Sequence, residues 1–102
     1  MKDSIVVDMK YADYDLIDGT PSIERHHVFG GPNRDKSDAD GLWIPLTKEH
    51  HTGKMSVHMN HEMNVMSHII GQLAWEKHAV AGGMSEEDAR EAFRKRYGKN
   101  YL

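Results

Sequence analysis

The sequence has no cysteine. That excludes a disulfide framework and any thiolate-bound zinc. It says nothing about redox compartment. A chain of 102 residues can still bury a core, but a modest one, and small domains often lean on a metal or a partner. Long apolar runs are missing too: none approaches the roughly 20 residues of a membrane span. Met1-Lys2-Asp3 does not begin a signal-peptide pattern. The expectation is one soluble, cytoplasmic domain over residues 1–102, with no membrane partner. Basic excess is absent as well. The net charge of −3, with histidines neutral, argues mildly against a nucleic-acid binder.

That charge is unevenly spread. Residues 1–20 carry five Asp against two Lys, whereas residues 89–102 carry Arg90, Arg94, Lys95, Arg96 and Lys99 against Glu91 alone. A local basic patch can grip phosphates even on an acidic chain. What the sequence has in abundance is histidine. There are eight, seven of them between His26 and His68 and the last at His78, and seven methionines accompany them.

Ser4-Ile5-Val6-Val7 reads as a short strand. Residues 13–21 are turn-rich and end with Gly19 and Pro21. Residues 22–29 (Ser-Ile-Glu-Arg-His-His-Val-Phe) alternate loosely and read as a strand. Residues 30–41 read as a loop, from their glycines, Pro32, Asn33 and three Asp. The apolar run Leu42–Leu46 is a second strand. Thr47 is placed to cap a short helix over 48–52, with Glu49 in its first turn and Gly53 at its end. A longer helix is expected from Ser56 to Gly82-Gly83. Met59, Met63, Met66, Ile70 and Leu73, at three- and four-residue steps, form its apolar stripe. Ser85 and Asp88 give a capping-box-like start to a last helix, which runs to about Tyr97 and is closed by Gly98. Trp43 and Trp75 are expected to be packing residues. The pattern is that of an α+β protein.

The histidines come in two adjacent pairs. His26-His27 sits at the end of a strand, in Glu-Arg-His-His-Val-Phe-Gly-Gly, and His50-His51 sits on a helix after the second strand. Strand end and helix can converge, so that histidines from both share one divalent ion. Imidazole suits zinc, nickel, copper and iron better than magnesium, which prefers oxygen. Neighbours on an extended chain face opposite ways. The two members of the first pair therefore cannot easily do the same job.

The segments ERHHVFGGPNR, DGLWIPLTKEHHTG and VHMN together resemble the HNH endonucleases of the ββα-metal fold, particularly the small phage-type members. The match covers residues 22–60, and the ending FRKRYGKNYL is similar to the tails of phage members. Pro45-Leu46 to His51 looks like the family's PLCxxCH, with Thr47 and His50 at the cysteine places and His51 at the ligand place. The resemblance implies a ββα-metal core over 22–60 and a helical extension over 61–102. It implies His26 and His51 as metal ligands and His27 as the general base. His58 is the expected third ligand, with His50 its competitor. Arg25 and Arg34 flank the site as candidate phosphate clamps. The implied cofactor is one divalent ion (zinc, nickel, manganese or magnesium). The implied substrate is DNA, cut to 5′-phosphate and 3′-hydroxyl ends. A phage origin, the host cytoplasm and phage proteins as candidate partners go with it.

The chain departs from that pattern in two ways. Tyr11 and Tyr14 stand about where many relatives carry an upstream CxxC, so their accessory zinc knuckle is not expected here. Leu42 holds the place of the family's middle Asn, nine residues before His51. Asn33 and Asn60 are the candidates for a similar loop-pinning bond. Two other readings stay open. One is a metal-storage or sensing protein that binds several ions through His58, His61 and His68. The other is a DNA-binding relative that has lost cleavage. The plainer expectation for His58, His61 and His68 is a solvated helix face, and for Met59, Met63 and Met66 it is core filling rather than a copper site.

Overall fold

A computed structural model of the chain describes residues 2–21 and 24–102. Ser22 and Ile23, the first two positions of the expected strand, lie outside the described residues. β1 (Glu24–His27) and β2 (Trp43–Leu46) form a two-stranded antiparallel sheet. Its register sets Arg25 opposite Pro45, His26 opposite Ile44 and His27 opposite Trp43. Between the strands run a 3-10 turn (Gly31–Asn33) and a helix, α1 (Arg34–Asp40). After them come α2 (Lys48–Thr52), α3 (His61–Ala81) and α4 (Glu86–Tyr97). The fold is α+β. No helix among the described residues is long and apolar enough to cross a membrane.

The core gathers Val28 and Phe29 after β1, Leu42, Ile44 and Leu46 around β2, Val57, and Phe93 and Tyr97 from α4. Phe29 lies against the rings of Phe93, Tyr97 and Tyr101. The two C-terminal helices thus share the hydrophobic core of the hairpin. Trp43 is fully buried and Trp75 packs on the core, as expected of packing residues.

Three expectations are corrected. Residues 4–7 are not a strand. The Ser4 hydroxyl accepts from the Val6 and Val7 amides and donates to the Trp43 carbonyl, a local turn that competes with strand pairing. Residues 30–41 are not a loop but contain α1. Pro32 sits in the turn that starts it, Asp35 favours its N-terminal dipole, and Gly41 closes it at φ 72°. The buried Ser37 hydroxyl ties it down, donating to the Leu42 carbonyl and accepting from the Phe29 amide. Lastly, α3 begins after its cap Asn60 rather than at Ser56. Its buried positions are Ser67, Gly71, Gln72 and Glu76, and of the methionines only Met63 packs on the core.

The inner face of α3 is held by close approach and hydrogen bonds as well as by the packing of Met63 and Trp75. A methyl group at Gly71 would come 2.5 Å from Val28 Cγ1, so only glycine lets the helix lie this near the strand end. Gln72 Nε2 donates to Glu76 and Asn100, Gln72 Oε1 accepts from the Tyr101 amide, and Arg90 donates to Glu76. The polar groups that enter the core are thereby paired. The remaining caps follow the sequence. Thr47 caps α2, Ser85 accepts from the Asp88 amide, and Gly98 closes α4 at φ 80°.

Candidate metal centre

β1 puts His26 on the face that meets α2, and the turn before α3 brings His58 in from the side. The three rings of His26, His51 and His58 stand together, with centroids 5.2, 4.9 and 4.9 Å apart. One nitrogen from each lies within 4.8 Å of the others. A tetrahedral ion with zinc-like bonds spaces its nitrogens by roughly 3.4 Å. The rings therefore need to close by little more than an ångström.

His26 is buried, and its Nε2 has no hydrogen-bond partner. An unpaired buried acceptor is costly unless something fills the position. Burial first, and then the neighbouring His58, His51, His68 and His27, push the His26 pKa down to about 3. The ring is neutral at neutral pH and its lone pair is free to bind. Burial and His51 also lower the pKa of His58. His51 is turned by Glu24, whose Oε1 lies 2.8 Å from Nδ1. A carboxylate only accepts, so the proton sits on Nδ1 and the lone pair of Nε2 is left for the cluster. Asn64, from the first turns of α3, donates to the Val57 carbonyl and fastens the turn that carries His58. These donors fit one imidazole-preferring divalent ion.

His27 faces the other way, as alternation along β1 requires. It is not part of the cluster. Its Nε2 lies 3.1 Å from Asp38 Oδ1, on α1. By the same reasoning Nε2 carries the proton and Nδ1 the lone pair. Arg25 shares that face and lays its guanidinium over the Trp43 ring, 4.2 Å from the centroid. Arg34, the first residue of α1, is exposed. All of these except Asp38, Glu24 and Trp43 line one open pocket of about 530 Å³, together with His68 and Gly30-Gly31.

His50 is not at the centre. Its Nδ1 lies 2.9 Å from the buried Asp15, which also accepts from the Thr47, Ile17 and Asp18 amides. Burial alone would raise the Asp15 pKa, but these bonds outweigh it and hold it at about 2. Nor do His58, His61 and His68 share a solvated face. His58 precedes α3 and His61 is exposed, while His68 is half-buried between Phe29 and Tyr101. Burial and Lys99 lower the His68 pKa, although a bond to the Val28 backbone opposes them. Met59 and Met66 are exposed, not core filling. Asn33 does pin its loop, donating to the Tyr97 carbonyl, whereas Asn60 caps α3. Much of the basic run is neutralised: Arg90 pairs with Glu76, Arg94 with Glu91 and Arg96 with Asp40.

Reading the sequence alone missed Glu24, Asp38, Asp15 and Asn64. Glu24, Asp38 and Asp15 act through histidines 27, 11 and 35 residues away, Asn64 acts through a carbonyl seven residues back, and lone acidic or amide residues carry no pattern. The one available signal was alternation, which sets Glu24 on the same face of β1 as His26. Compared with known proteins, the chain matches no family model, no curated protein and no solved structure.

Proposed function

We propose that the chain is an HNH-type endonuclease with a ββα-metal core, hydrolysing DNA phosphodiesters with one divalent ion. The observation that carries this reading is the division between two adjacent histidines. His26 aims a buried, unpartnered nitrogen at two further imidazoles, while His27 turns away to a carboxylate at the edge of the same pocket. β1, β2 and α2 are the elements of the proposed core, and His26, His51 and His58 hold the ion. A divalent ion bound there supplies positive charge at the scissile phosphate and at the leaving oxygen.

The remaining chemistry belongs to the chain. His27 Nδ1 takes a proton from a water, which attacks phosphorus as the bond to the 3′ oxygen breaks. Asp38 keeps the Nε2 proton in place and stabilises the imidazolium that forms. Arg25 and Arg34 draw phosphate oxygens into the pocket. The metal-storage reading loses support, because His61 and His68 do not join the cluster.

The test is plasmid nicking with a panel of divalent ions, beside calorimetric metal titration. His27→Ala is expected to bind metal like wild type and to cleave about 10²–10⁴-fold more slowly. His26→Ala is expected to lose both cleavage and metal affinity. Asp38→Ala should lower the turnover rate while metal affinity stays. Normal cleavage by His27→Ala, or equal loss of metal by both histidine variants, would sink the assignment.

A further inference from the structure

The face of α3 turned away from the core is apolar, and its spacing is that of a helix built to meet another helix. Met66, Leu73 and Val80 recur every seventh residue along α3 and are 37, 52 and 38% exposed, and Met59, in the turn before the helix, is 70% exposed. Exposed Val65 and half-buried Ile69 and Ile70 widen the stripe. A seven-residue apolar repeat keeps one seam on one side of a helix over several turns. α3 is seated on the core elsewhere, by Gly71 roughly across the helix from this seam and by the buried Gln72, while Leu73, Lys77 and Val80 border an open groove with Glu86 and Arg90 of α4.

The stripe is complementary to itself. Glu62 and Lys77 lie equally far from the midpoint between Ile69 and Ile70, and so do Met66 and Leu73, and Val65 and Ala74. Two copies crossing antiparallel at that midpoint set Met66 against the other copy's Leu73. They also set Glu62 against the other copy's Lys77 at both ends. A parallel pairing would instead set like charges together, which is unfavourable. Neither Glu62 nor Lys77 is in an ion pair among the described residues. We propose that the chain forms a two-fold dimer through α3, antiparallel, with a second copy as the occupant of this seam. Asn64 and His68, which line the metal pocket, lie across the helix from the seam. Both pockets therefore stay open in the dimer.

Sedimentation equilibrium tests this. Wild type is expected to be a dimer at micromolar concentration. Leu73→Glu and Met66→Lys should each be monomeric, with an unchanged circular dichroism spectrum and unchanged zinc affinity. Glu62→Lys alone and Lys77→Glu alone should each raise the dissociation constant about tenfold, since each sets two like-charged pairs across the seam. The double exchange should restore wild-type association. A wild-type chain that stays monomeric to about 1 mM, the weak end of measurable association, overturns the proposal, whatever else covers the stripe. So does a dimer that survives Leu73→Glu. Failure of the double exchange to restore association overturns the antiparallel pairing.

Discussion

Gly71→Ala sets two effects of opposite sign against each other. Within a helix, alanine is favoured over glycine by about 1 kcal/mol, so propensity alone predicts a more stable protein. The packing says otherwise. The new methyl would lie 2.5 Å from Val28 Cγ1, and 3.2 and 3.4 Å from two Phe29 ring carbons. Carbon atoms rest at about 3.5–4.0 Å, so something must move by about an ångström. Val28 is 1% exposed and Phe29 2%. Val28 is stiff at χ1, and Phe29 is hemmed in by Phe93, Tyr97, Tyr101 and His68. Overpacking of this kind costs about 1–3 kcal/mol. With the propensity gain set against it, the expected net loss is about 1 kcal/mol, or about 5 °C in Tm for a domain of this size. Gly82→Ala is the control. Its backbone is at φ −83°, and its added methyl would sit 3.4 Å from the nearest atom. It should be neutral or gain a few tenths of a kcal/mol. Thermal and urea unfolding of both variants decide the matter. A Gly71→Ala protein as stable as wild type would show that α3 does not lie as close to Val28 as described.

Metal-free protein is expected to lose stability as pH falls from about 6.5 towards 3. The unfolded chain takes up a proton near 6.5, but folded His26 does so only at about 3. Across that window the unfolded state binds more protons, so stability rises with pH. Urea midpoints at pH 7 and pH 4.5 should differ in that direction, and His26→Asn should flatten the slope. Asp15 acts lower, its contribution fading as pH falls from 3.8 towards 2. Asp15→Ala strands several buried donors and should cost about 3 kcal/mol while zinc affinity is retained. A near-wild-type urea midpoint would deny the carboxylate its holding role. Thr47→Ala should cost about 0.5–1 kcal/mol, because its bond from the His50 amide is long, at 3.4 Å. Lost metal binding in that variant would reject a purely capping role.

Features that depend on a few adjacent residues were legible in the sequence. The cap at Thr47, the cap at Ser85, the strand at 43–46 and the histidine pairs each carry their signal locally. Features decided by distant contacts were not. Asp35, Ser37 and Asp38 look like loop residues until Ser37 bonds the Leu42 and Phe29 backbones. The stripe on α3 had the correct period but, apart from Met63, the wrong face, because Gly71 and a paired Gln72 let the helix dock on a side where Trp75 is the large apolar contact. His50 and His51 are the same residue type on the same short helix, told apart in the sequence only by the resemblance that put His51 at the ligand place. Only the positions of Asp15 and Glu24 decide which of the two turns towards His26.

The guanidinium of Arg25 over the Trp43 indole gives the molecule a built-in optical reporter. A cation on the face of an indole perturbs its excited state, and Trp43 is otherwise sealed from water. A phosphate that draws Arg25 away would alter the emission of Trp43 at once, before any bond is broken. Trp75 is a second emitter, fixed by its bond to Asp40, and its ring does not carry that arginine. Under the proposed function, phosphate capture and strand scission would then be timed separately on unlabelled protein, the first by stopped-flow fluorescence and the second by gel.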